Sequence, residues 1–459
     1  MKTGGPVQSL WFDTALLADG WARDVRIIHA GGVITSIETG TPTRGGDERA
    51  GIAVPGLGNL HSHAFQRGMA GLAEARGPGG DDFWSWRSVM YRFVDQLGPQ
   101  DVEDIAALAY AEMLESGFTR VGEFHYLHHD RDGRPYADRG ELAARIAAAA
   151  QTTGIGLTLL PVFYAHSGFG GAAPTGWQRR FINTPEDYAS LIEASRHAVL
   201  GLPDPVVGVA PHSLRAATPE ELALIVPLAA GGPVHIHIAE QSREVEDCIV
   251  WSGQRPVDWL LDHAPVDARW CLVHATHLSV TETMRLAAGA AVVGLCPITE
   301  ANLGDGIFPA ARFIEAGGRF GVGSDSNVLI DAAEELRLLE YGQRLSTRAR
   351  NVLASAGRPS VGGTLFRGAL AGGARALGVE QAALVVGEAA DIVALDSGHP
   401  AFFGRDGDAL LDGWLFAARG GAIRSVWRRG HKVVEDGRHR LKDDLLWKFR
   451  RAMSRVLQA

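Results

Sequence analysis

Lysine is almost missing from this chain. It occurs only at Lys2, Lys432, Lys442 and Lys448, so the central part of the sequence has no amine side chain to offer. Cysteine is nearly as scarce: Cys248, Cys271 and Cys296 include no Cys-x-x-Cys spacing, which argues against a disulfide framework and suits a reducing compartment. No apolar run approaches the roughly 18 residues of a membrane span. The first residues also lack a basic segment followed by an apolar one, so the chain reads as cytoplasmic. An excess of positive charge is absent too. The 44 Lys and Arg against 53 Asp and Glu leave a formal net charge of -9, which speaks against nucleic acid or an anionic membrane as the main partner.

What is present is an ordinary globular composition, 46% hydrophobic over 459 residues, enough for one large domain and a smaller one. Both ends carry short β-like runs punctuated by glycine, such as Val25–His29 and Ile423–Val434. They predict one small β-sandwich domain assembled from residues 1–54 and 385–440, with a C-terminal helix over 441–459. Between them, residues 55–384 alternate strand-like and helix-like segments. Strands are expected at 53–60, 119–124, 156–163, 206–210, 234–239, 270–275, 291–296 and 319–323. Helices are expected at 100–116, 141–153, 185–200, 219–229, 242–251, 279–288, 310–316 and 332–345. Eight strand-then-helix units over this length predict an α/β fold of the (β/α)8 TIM-barrel type. A doubly wound sheet is the rival, but the Gly-rich dinucleotide fingerprint is missing after the first strand.

A barrel places its chemistry at the C-terminal ends of the strands. Titratable residues recur there: His61 and His63 after the first strand, Glu123, His125 and Tyr126 at the second, Tyr164 and His166 after the third. His212 and Arg215 follow the fourth, His235, His237 and Glu240 the fifth, His274 and His277 the sixth, and Asp325 the eighth. In His61-Ser-His63 the period-two alternation of a strand turns both imidazoles to one side, an arrangement suited to a divalent transition metal. His235 and His237 share a face as well; His237 is nearer the mouth and is the better ligand, leaving His235 as an interior histidine. Asp325 adds a carboxylate, although an Asp after a strand often serves as a helix N-cap. His61, His63, His237 and Asp325 therefore predict a mononuclear metal site. A second ion would need a bridging anion, commonly a carboxylated lysine, and no lysine is available. Metal-activated water needs a base, and the departing group an acid. Glu240 and His274 are the candidates, while His277 reads as structural.

Gly58-Asn-Leu-His-Ser-His63, His237-Ile-Ala-Glu240, His274 and Ser324-Asp325 resemble the amidohydrolase superfamily in its mononuclear deaminase branch. The blocks His63-Ala-Phe-Gln-Arg67, Phe83-Trp-Ser-Trp-Arg87, Gly122-Glu-Phe-His-Tyr126, Pro211-His-Ser-Leu-Arg215 and His235-Ile-His-Ile-Ala-Glu-Gln241 are similar to the formimidoylglutamate deiminases of histidine degradation. That resemblance runs over essentially the whole chain. It implies a metal enzyme, with zinc or iron(II), that converts N-formimino-L-glutamate and water to N-formyl-L-glutamate and ammonia, and it implies a homodimer. In this reading His274 takes the proton of the attacking hydroxide and Glu240 relays one to the leaving nitrogen. The small-molecule substrate carries two carboxylates and an amidine. Arg87 and Arg215 suit the carboxylates through bidentate forks, and Gln66, Tyr126 and His212 add substrate contacts. The alternatives are another deaminase of the guanine or adenosine type, an imidazolonepropionase-like cyclic amidohydrolase and, remotely, a non-catalytic scaffold of the same fold. Residues 77–82 and 167–180, rich in Gly and Pro, read as mobile loops over the mouth.

Overall fold

The computed structural model describes residues 7–76, 83–379 and 383–458. The chain begins with β1 (Gln8–Leu17), β2 (Gly20–Ala30), β3 (Val33–Glu38) and β4 (Glu48–Pro55). It then runs through β5 (Leu57–Ser62), β6 (Phe118–His125), β7 (Gly156–Phe163), β8 (Val206–Val207), β9 (Ala210–Pro211), β10 (Val234–Ile238), β11 (Trp270–His274), β12 (Val292–Leu295) and β13 (Arg319–Val322). It returns with β14 (Ile392–Leu395), β15 (Ile423–Arg428), β16 (His431–Glu435) and β17 (Arg438–His439). The first four strands and the last four join in one mixed sheet of order β17-β16-β15-β14-β4-β1-β2-β3.

That sheet coils back on itself. Phe12 in β1 and Trp427 in β15 are three strands apart, which in a flat sheet means roughly 14 Å at about 4.8 Å per strand. Their ring centroids are 6.1 Å apart, edge to face. At the far edge Ile34 of β3 exchanges backbone hydrogen bonds with Gly387 and Glu388, just ahead of β14. The two-layered packing expected of the terminal strands thus arises inside a single hydrogen-bonded sheet, closed over Leu10, Phe12, Val25, Ile27 and Ile392.

The middle strands are parallel. β5-β6-β7-β8 form one arc, with β9 also on β7, and β10-β11-β12-β13 form the other. Single parallel bridges, Val209–Val234 and Ser62–Asp325, link the arcs into a ring of eight stations. The expected strand 53–60 divides at Gly56. Its first half stays in the terminal sheet beside β14, and only β5 enters the barrel beside β6. The expected strand 206–210 is likewise broken into β8 and β9, with Val209 turned to bridge Val234 instead.

A helix absent from the sequence expectations, Val361–Ala376, closes the floor of the ring. Its glycines hide it from period-based reading and are what let it lie so close: a Cβ on Gly372 would meet the Phe320 carbonyl oxygen at 1.8 Å. Ala376 and Leu377 then cluster with Leu60, Cys271, Val273 and Val292 inside the barrel. The C-terminal helix Lys442–Val456 seats Leu445, Ala452 and Val456 in the interior and pairs Arg455 with Asp101 of the helix Pro99–Ser116. Among the described residues no helix is long and apolar enough to cross a membrane.

Candidate active site

At the opposite, C-terminal end of the strands one donor atom each from His61, His63, His237 and Asp325 lie within 4.8 Å of one another, all four residues buried. His61 Nε2 is 3.0 Å from His237 Nε2. Asp325 Oδ1 is 3.3 Å from His61 Nε2 and 3.2 Å from His63 Nε2. Backbone carbonyls fix two of the rings: His63 Nδ1 donates to Phe124 O at 2.9 Å, and His237 Nδ1 donates to His212 O at 3.1 Å. Each therefore carries its proton on Nδ1 and turns a lone pair inward, the tautomer a metal ligand needs. Burial drives the His61 pKa down to about 3 despite the Asp325 carboxylate, and burial also holds His237 well below the ordinary histidine value. Burial opposes the charge on Asp325 too, but the close approach of His61 and His63 outweighs it and holds the carboxyl well below its ordinary value. Neutral imidazoles facing one another around a carboxylate fit a divalent cation by donor type and by number.

The backbone is shaped to bring these groups together. A Cβ on Gly323 would lie 2.7 Å from the His61 backbone nitrogen, so glycine lets the end of β13 approach β5. Asp325 and His274 sit at φ 42° and 67°, in the left-handed region, where a non-glycine residue costs about 1–3 kcal/mol and persists only if its surroundings enforce it. At Asp325 buried polar side chains do so: Asn59 Nδ2 donates to Ser324 Oγ at 2.6 Å, and Asn327 Nδ2 donates to the backbone oxygens of His63 and Asp325, each at 3.0 Å.

Beside the cluster stand Glu240 and His274, with His274 Nε2 3.8 Å from Glu240 Oε1 and 3.9 Å from Asp325 Oδ2. The Glu244 carboxylate accepts from the backbone N–H of Ala239 at 3.2 Å and of Glu240 at 3.1 Å, pinning the turn that carries Glu240. Burial raises the Glu240 carboxyl above its ordinary value against the pull of His274 and Arg215. His274 is pushed the other way. Burial would lower it, but Glu240, the hydrogen bond to Glu300 and Asp325 lift it to about 10.

One cavity joins these groups to His63, Gln66, Arg87, Tyr126, His212 and Arg215. Its outer wall is the helix Phe83–Gln96, which contributes Trp86, Arg87, Met90 and Tyr91. Arg87 donates through Nη2 to Tyr164 Oη at 2.7 Å and packs against Tyr91, its Cζ 5.3 Å from the ring centroid. Arg215 lies 3.9 Å from Glu240 and 4.0 Å from Glu244, and its buried Nε has no hydrogen-bond partner. Gln66 donates to Tyr126 Oη at 2.8 Å and leaves a buried Oε1 unpartnered. An unmet donor and an unmet acceptor on two residues that line one cavity are what a polar ligand would satisfy.

All eleven side chains expected at the site meet here. His235 does not: its Nε2 donates to Ala376 O at 2.7 Å on the barrel floor, so it is an interior histidine. His166 pairs with Glu221 at 3.0 Å, outside the cavity lining. Of the two loops expected over the mouth, 77–82 lies outside the described residues. The other is tied in, with Gln178 donating to Tyr164 Oη at 2.8 Å and Trp177 stacked on Tyr91. Sequence reasoning missed Glu300, which holds His274 Nδ1 at 3.3 Å. Its signal is Cys296-Pro-Ile-Thr-Glu300, a carboxylate one turn into the helix after β12, the one strand for which no titratable residue was noted. Tyr91 and Tyr164 were missed as partners of Arg87 because an aromatic beside other aromatics reads as packing.

The Amidohydrolase family matches residues 52–433, and the family described as "Formimidoylglutamate deiminase HutF, N-terminal domain" matches residues 11–51. A formimidoylglutamate deiminase of Pseudomonas aeruginosa is 52% identical over 437 residues, 94% of this chain and 96% of its own. A 5-methylthioadenosine/S-adenosylhomocysteine deaminase of Natronomonas pharaonis is 27% identical over 91% of both chains. Among solved structures, an amidohydrolase from Brucella melitensis is 58% identical, with a TM-score of 0.95 over 98% of this chain and 100% of that one. An adenosine deaminase from Xanthomonas campestris shares the fold at 22% identity, with a TM-score of 0.81 over 98% and 99% of the two chains.

Proposed function

The chain belongs to the amidohydrolase family, and from that membership we infer that it hydrolyses N-formimino-L-glutamate to N-formyl-L-glutamate and ammonia. The observation that carries the substrate is the pairing of two arginines, Arg87 and Arg215, in one cavity with the four-donor cluster. Two carboxylates call for two guanidinium forks, whereas a purine calls for a flat aromatic slot. The 52% identity to a formimidoylglutamate deiminase along nearly the full length of both chains supports the same substrate.

In this reading His61, His63, His237 and Asp325 hold one divalent cation, with zinc preferred over iron(II) for a set rich in imidazole. When bound, the cation supplies the Lewis acidity that makes water a nucleophile at neutral pH. Arg87 and Arg215 anchor the substrate carboxylates, and Gln66, Tyr126 and His212 orient the formimino group by hydrogen bonds. A cation held by Asp325 would withdraw one of the charges that keep His274 protonated, which would leave the His274 Nε2 to take the proton of the attacking water. Glu240, whose carboxyl retains a proton unusually well, delivers one to the nitrogen that leaves as ammonia. The same reading places the enzyme in the cytoplasm as a homodimer, which sedimentation of the purified protein tests.

The decisive assay supplies N-formimino-L-glutamate, adenosine and guanine in parallel. Ammonia and N-formyl-L-glutamate should appear in equal amounts from the first substrate alone. Ammonia from a purine and none from the formimino compound would overturn the assignment.

A further inference from the structure

Cys296 takes no part in the reaction above, yet it stands against two residues that do. It is fully buried and unpaired, at the end of β12, where it precedes the helix Pro297–Leu303. Its sulfur, a ring nitrogen of His274 and a carboxylate oxygen of Asp325 all lie within 4.8 Å of one another. A second observation concerns how His274 is held. Its Nδ1–H donates to Glu300 Oε1 at 3.3 Å, and that oxygen also accepts the Cys296 backbone N–H at 3.0 Å. A carboxylate behind one imidazole nitrogen is the arrangement that orients metal-ligating histidines, and it leaves Nε2 as the free donor. Glu240 Oε1, 3.8 Å from that Nε2, is a further oxygen nearby, and His274, Glu240 and Asp325 all line the cavity described above.

We propose that His274, Cys296 and Asp325 form a second cation site that shares Asp325 with the first, takes a thiophilic divalent ion such as zinc or cadmium present in excess, and thereby inhibits the enzyme. Sulfur in the donor set selects soft and borderline ions over magnesium or calcium. Binding forms a metal–thiolate bond and releases the thiol proton to solvent, so affinity rises with pH. It is the weaker of the two sites, because it has one imidazole against three. Inhibition follows because the ion takes the His274 nitrogen that accepts the proton of water. The proposal rests on the first site being held by His61, His63, His237 and Asp325.

The test titrates cadmium into enzyme already carrying one equivalent of metal, following metal content, ultraviolet absorbance and turnover together. A second equivalent should bind with a sulfur-to-cadmium charge-transfer band, and turnover should fall with the same midpoint. Cys296→Ser should abolish the band and raise the inhibitory concentration at least about tenfold, with the first equivalent and basal turnover retained. X-ray absorption of doubly loaded wild-type enzyme, which needs no variant to fold, should show one sulfur neighbour. No second equivalent, a band that survives Cys296→Ser, or a second ion without sulfur overturns the proposal. Failure to bind even the first equivalent overturns the ligand assignment of the first site instead.

Discussion

His235 and His237 are two residues apart on one strand, buried on the same face, and have opposite fates. His235 points at the barrel floor, where the Ala376 carbonyl takes its Nε2–H at 2.7 Å. His237 points at the mouth, where its Nδ1 is taken by a carbonyl and its Nε2 faces His61 at 3.0 Å. Burial lowers both, His235 to about 4 and His237 well below the ordinary histidine value. The imidazole therefore does not decide which histidine is structural. What decides is whether Nε2 meets a backbone oxygen or another imidazole nitrogen. The floor is closed by a helix end that takes the His235 Nε2–H and leaves its Nδ1 without a partner. At the mouth three imidazoles converge on a carboxylate beside a cavity, and that difference is what makes it a candidate site.

The comparison can be broken or sharpened by substitution. The largest effect belongs to Glu240→Gln, which should lower kcat by about 10²–10⁴ while the metal content stays at that of the parent; near-normal turnover would remove Glu240 from proton transfer. Next come Arg87→Met and Arg215→Met. Hydrogen bonds to charged groups are worth about 1.5–3 kcal/mol, so each should cut kcat/KM by about 10–100-fold, with the loss mostly in KM. Asn327→Ala removes the clamp between the ends of β5 and β13. It should lower stability by about 1–3 kcal/mol and weaken metal retention without changing KM, readable by chemical denaturation and by dialysis against a chelator.

The smallest effect lies on the floor. In the unfolded chain His235 gains a proton as pH falls below about 6.5, whereas folded it stays neutral down to about 4. The unfolded state thus binds more protons between those values, and stability drops as pH falls through that window. His235→Gln should flatten that slope with turnover unchanged.

Much of this was legible in the sequence because strand ends are short, local signals. His61-Ser-His63, His237 with Glu240, His274 and Asp325 each terminate an apolar run, and the barrel rule turns such residues into one site. What escaped depended on partners distant in the chain. Glu300 gains its meaning only when β11 and β12 lie side by side. The floor helix Val361–Ala376 carries Gly362, Gly363, Gly368, Gly372 and Gly373, which in isolation argue against a helix; close approach to Asp412 and Asp408 explains the first two, and to Phe320 and Gly58 the other three. The break at Gly56 was invisible for a similar reason: an apolar run does not record that two different sheets share it.

The most direct test is the metal content of His235→Ala and His237→Ala, purified side by side. One divalent ion per chain should remain in the floor variant, with ammonia still released from N-formimino-L-glutamate, and both should be lost in the mouth variant. Equal metal content in the two variants would contradict the account.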